Sequence, residues 1–199
     1  MKGPAEILES ITDLVRRLRA SPRPEARGAG DGGLRYSLAV LHYDQGRPDD
    51  AALELEAALQ SSPEQPDAHF LLGRIYEGRG ELDRAVKAYR RAIRQSPGRL
   101  MYHLCLGGVL EKKGNRPGAI REYRAAVAAC PEDPEARFRL GAALDGAGLL
   151  DDAIVEYRAA QALDPGFGGA GLCLQAALRR RKELTKGTMG TKGTKRDLM

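Results

Sequence analysis

Proline stands at Pro63, Pro97, Pro131 and Pro165, each 34 residues after the last. Alanine keeps the same step at Ala51, Ala85, Ala119 and Ala153, and again at Ala58, Ala92, Ala126 and Ala160. Tyr89, Tyr123 and Tyr157 share one place in the period, held by Leu55 in the first copy. Leu-Gly pairs recur at 72–73, 106–107 and 140–141, with Leu38-Ala39 earlier, and glycine recurs at Gly46, Gly80, Gly114 and Gly148. A fixed period of this length constrains the fold more than any other feature of the chain. Each unit is one supersecondary element that cannot bury its apolar face alone, so neighbours must stack into a continuous core.

The recurring residues say what that element is. Small residues at two helical spacings let paired helices approach closely, and the mid-unit glycine suits a helix C-terminus in the left-handed conformation. The closing proline ends a helix, because it lacks an N–H and clashes with the preceding turn. Aromatic content of 5%, with no Trp, favours helices rich in Ala and Leu over a β-sandwich. Each period therefore reads as helix–turn–helix.

This pattern resembles the tetratricopeptide repeat. The resemblance implies an all-α, right-handed superhelical solenoid of four repeats, at 32–65, 66–99, 100–133 and 134–167, with a solvating helix at 170–184. The family's tryptophan position departs here, holding Arg35, His69, His103 and Arg137. In this family the first helix of each repeat lines the concave face, and its fifth position reads Tyr36, Phe70, Leu104, Phe138 and, in the last helix, Leu172. Val40, Tyr43, Arg74 and Glu111 flank that row and complete the expected partner-binding groove. The alternative, that the fifth-position side chains pack mainly against neighbouring helices, stays open.

Two groove types known in the family can be compared residue by residue. The carboxylate clamp of chaperone adaptors would fall on Tyr36, Val40, Leu71, Met101 and Cys105, none of them a clamp residue. The asparagine ladder of glycosyltransferase-linked members would fall on Ser37, Leu71, Cys105, Arg139 and Cys173. Neither is present. What remains is an apolar groove suited to an amphipathic helix or extended peptide. RFRLGAALD, residues 137–145, is loosely similar to a magnetosome-associated scaffold of the bacterial branch.

Outside the array, Ile7, Ile11, Leu14 and Leu18 form one apolar stripe within 1–20, acidic early and basic late as the helix dipole favours. That amphipathic helix is expected either to cap the first repeat or to dock in a groove of this or a neighbouring molecule. Residues 21–31 read as a flexible linker and 185–199 as a disordered basic tail. Charge is uneven: 32–65 carry two basic and six acidic residues, whereas 66–99 carry eight and four. Such asymmetry permits attraction to an acidic partner or another copy.

Catalytic chemistry has no visible seat. The histidines are His42, His69 and His103, and two of them share one repeat position, which argues for packing rather than ligation. GFGGAG at 166–171 lacks the strand a dinucleotide fingerprint requires and reads as a loop. No catalytic residue, metal site or cofactor is expected, and the chain reads as no enzyme. Cys105, Cys130 and Cys173 form neither a disulfide framework nor a zinc spacing, and read as small buried residues of a reducing compartment. No apolar run approaches membrane-spanning length, so the expected location is cytoplasmic, without membrane insertion. Nucleic acid is disfavoured, because the basic residues of 84–94 have no exposed aromatics expected nearby. The expected function is a scaffold or adaptor for a protein or peptide partner, with self-association into a homo-oligomer left open. The second reading is an accessory subunit recruiting substrates to an enzyme or to a secretion or envelope machine.

Overall fold

The computed structural model describes residues 31–190, with side chains through 185, and every element in it is a helix. The first unit holds α1 (Asp31–Asp44), α2 (Pro48–Ser61), α3 (Pro66–Gly78) and α4 (Leu82–Gln95). The second holds α5 (Leu100–Lys112), α6 (Arg116–Ala129), α7 (Pro134–Gly146), α8 (Leu150–Leu163) and α9 (Ala170–Gly190). In each unit consecutive helices pair as hairpins, and the hairpins stack. The fold is the all-α tetratricopeptide-repeat solenoid class.

Four turns inside the hairpins are copies of one another. Gly46, Gly80, Gly114 and Gly148 take φ of 73°, 75°, 74° and 79°. The residue after each glycine donates back to the helix end: Arg47 to His42 O at 2.9 Å, Glu81 to Tyr76 O at 2.9 Å, Asn115 to Leu110 O at 2.9 Å and Leu149 to Leu144 O at 2.9 Å. This is the left-handed cap that a Cβ would strain. The period prolines act one step further out. Ser62, Ser96, Cys130 and Asp164, each before a proline, lie near φ −141° to −144°, the extended region a following proline imposes.

The core is built from one contact used repeatedly. A Cβ placed on Gly73, Gly107 or Gly141 would lie 2.6, 2.5 or 2.8 Å from the ring of Tyr89, Tyr123 or Tyr157. Glycine is required there so that the ring can lie against the facing helix backbone. In the first repeat the pair becomes Ala39 and Leu55, both wholly buried: one more carbon on one side, a smaller side chain on the other. Volume across the contact is conserved.

The last helix differs from expectation. It buries Ala170, Leu174 and Ala177 but continues to Gly190, so residues 185–190 are helical where a disordered tail was expected. Elongating an anchored helix adds one hydrogen bond per residue without a new nucleus, so a polar sequence can continue it. Asp31 likewise belongs to α1 rather than to the linker, where its carboxylate accepts from Arg35 Nε at 3.1 Å. The stripe of Ile7, Ile11, Leu14 and Leu18, the linker at 21–30 and the tail at 191–199 lie outside the described residues.

Candidate functional site

The fifth position of the first helices does not form a uniform row. In the first unit Tyr36 and Phe70 are half-buried, and Phe70 meets Tyr89 with ring centroids 5.6 Å apart. In the second unit Leu104 is only 6% exposed and belongs to the core. Phe138 is held between Tyr157 at 5.8 Å and Phe167 at 5.6 Å, whereas Leu172 is 74% exposed. The expected groove residues thus divide into packed ones and open ones.

In the first unit none of them is fully buried: Tyr36, Val40, Tyr43 and Phe70 are half-buried and Arg74 is exposed. Tyr36, with Gly33, Gln65, Pro66, Asp67 and Ala68, borders a cleft of about 210 Å³. At its edge Gln65 Oε1 is buried and, among the described residues, has no hydrogen-bond partner, so its desolvation is not repaid there. Further along, exposed Arg74 places its guanidinium 5.2 Å from the centroid of the Tyr43 ring, a cation–π contact. Val40 is half-buried on α1.

Acids on the first helices have a role that the sequence reading missed. The Tyr123 hydroxyl donates to Glu111 Oε2 at 2.9 Å, and Tyr89 donates to Glu77 Oε2 at 2.8 Å. Burial, reinforced by that carboxylate, pushes the Tyr123 phenol well above its ordinary range, and burial with the nearby Asp145 charge does the same to Tyr157. Asp145 also accepts from Arg180 of α9 at 2.5 Å. Glu111, expected in the groove, is therefore committed to holding the tyrosine that fills the space over Gly107.

The former tryptophan position carries a second hidden pattern. Arg35 donates to Glu54 at 2.7 Å, His103 Nδ1 meets Glu122 at 2.9 Å and Arg137 donates to Glu156 at 3.0 Å. Each acid lies 19 residues after its base. The matching residue in the second repeat is Ala88. His69 instead places Nε2 3.1 Å from the Pro63 carbonyl oxygen, and burial, with Arg91 and Arg94 adding like charge, holds its pKa below the usual histidine value. The spacing was present in the sequence, but only the folded hairpin says that it is a contact.

Among the described residues no group of three or more His, Cys, Asp and Glu could hold a metal ion, and no helix is long and apolar enough to cross a membrane. Among the described residues Cys105, Cys130 and Cys173 form no disulfide, and all three are half-buried rather than fully buried. The GFGGAG stretch forms the turn into α9, with Gly169 at φ 95°.

Stacked helix hairpins with an open first-helix face define a helical-repeat module of the kind that binds other proteins. The tetratricopeptide-repeat model matches residues 36–99 and 106–166, and the chain belongs to that family. No curated protein matches it in sequence. In fold it is similar to the crystal structure of MamA, at TM-score 0.71 and 22% identity, over 83% of this chain and 96% of that one. It is also similar to MamA 41-end from Desulfovibrio magneticus RS-1, at TM-score 0.70 and 25% identity, over 82% and 93%. A third likeness is to YrrB, described as a TPR protein with an unusual peptide-binding site, at TM-score 0.70 and 24% identity, over 76% and 78%.

Proposed function

We propose that the protein is a non-catalytic scaffold or adaptor that seats an amphipathic helix or extended peptide on the first-helix face of its amino-terminal unit. The observation that carries this is the cleft beside Tyr36, where the buried Gln65 Oε1 has no partner among the described residues. A peptide N–H placed there would satisfy it while an apolar side chain entered beside Tyr36. Arg74 over Tyr43 supplies a polar anchor on the same unit. The likeness to YrrB, whose structure is described by its peptide-binding site, supports the same class of ligand.

The segment with Ile7, Ile11, Leu14 and Leu18 has the chemistry of such an occupant and provides the probe. A labelled peptide of residues 1–20, added to the full chain, is expected to bind saturably. Tyr43→Ala and Arg74→Glu, with Arg74 at the surface and Tyr43 half-buried, are each expected to weaken binding at least tenfold with helicity unchanged. Absence of binding, or binding that neither substitution weakens, overturns the reading.

A further inference from the structure

A cleft of about 350 Å³ opens in the first unit among Leu59 of α2, Pro63 of the turn, His69 of α3, and Arg91, Arg94 and Gln95 of α4. It shares no lining residue with the cleft beside Tyr36. Among the described residues Arg91 and Arg94 make no hydrogen bond or ion pair. Gln95 Nε2 donates to the Pro63 carbonyl at 3.0 Å, fixing that wall.

Comparison along the repeat shows how unusual this set is. Where Arg91 stands, the other repeats have Ala57, Ala125 and Ala159; where Arg94 stands, they have Gln60, Ala128 and Ala162. Where they have a glutamate facing the base of the first helix, this one has Ala88. Three departures in one repeat act in the same direction, adding two cations and deleting the acid that would compensate them. Like charges three residues apart on a helix are destabilising, and rule-breaking of this kind belongs at sites that do something else.

We infer that this cleft is an oxyanion site for a phosphate group, held by the Arg91 and Arg94 guanidinium forks against the His69 wall. Guanidinium forks match phosphate oxygens in charge and geometry and bind them with charge-assisted hydrogen bonds. The Leu59 and Pro63 side of the cleft would exclude water from one flank of the ligand. Free phosphate and phosphate carried on a peptide share this chemistry.

The test is a titration of the full chain with inorganic phosphate, at constant ionic strength in a zwitterionic buffer, followed through the arginine side-chain NMR signals. Saturable shifts of Arg91 and Arg94 are expected. Arg91→Ala with Arg94→Ala installs residues that sister repeats already carry, so the fold is expected to persist while affinity falls at least tenfold. Ala88→Glu restores the missing acid and is expected to weaken binding in the same sense. A phosphoserine peptide that binds more tightly than phosphate and than its unphosphorylated form would assign the carried group; equal affinity for both phosphates would assign the free anion. Arg74→Glu, which disrupts the peptide face, is expected to leave phosphate affinity unchanged. The inference is overturned if the shifts do not saturate, if chloride reproduces them, or if the double variant binds phosphate as the parent does.

Discussion

His69 and His103 occupy the same place in consecutive periods, in different units, and have opposite surroundings. His103 meets Glu122 at 2.9 Å, whereas His69 faces Arg91 and Arg94 and, among the described residues, has the Pro63 carbonyl oxygen as its hydrogen-bond partner. Both are nearly inaccessible, and both sit on helices built by the same rules. The difference comes from residues 19 and more positions away, chiefly Ala88 against Glu122. Repetition specifies the backbone, and departures from repetition specify the chemistry.

The strongest way to break this comparison is to attack what the units share. Gly73→Ala and Gly107→Ala each place a methyl group inside van der Waals contact with a tyrosine ring, and each is expected to cost about 1–3 kcal/mol. Adding Tyr89→Leu or Tyr123→Leu converts the pair into the Ala39–Leu55 arrangement of the first repeat, and should recover most of that loss. Thermal melts of single and double variants in both units measure the coupling. Additive losses would show that the contact is not the unit of packing.

A smaller effect sharpens the contrast between the histidines. Glu122→Ala should destabilise the chain and Ala88→Glu should stabilise it, each by roughly 0.5–1 kcal/mol, since the acid at this place stays partly solvated. Chemical denaturation gives both values. Equal signs would mean that the pair does not contribute in the way its geometry suggests.

The smallest effect is one of pH. The pKa of His69 is held below the ordinary 6.5 in the folded chain, so near and below that pH the unfolded chain binds the proton first. Stability contributed by neutral His69 is full above 6.5 and declines as pH falls towards the folded value. Denaturation midpoints in phosphate-free buffer should show this decline, and His69→Gln should flatten it. An unchanged slope in the variant would place the titration elsewhere.

The sequence by itself determined the period, the hairpin, the turn glycines and the small residues that let helices meet. These depend on backbone conformation and on volume at fixed spacing, so they can be read along a chain. It also contained, unrecognised, the base-to-acid spacing that replaces the family tryptophan. What only the tertiary structure decided is which first-helix side chains remain open. Leu104 and Phe70 hold the same repeat position, yet one is core and the other half-buried. Glu111 looked like a groove charge and is instead the acceptor of a buried phenol. Accessibility and hydrogen-bond partnership depend on atoms brought together from distant parts of the chain, and periodicity carries no record of them.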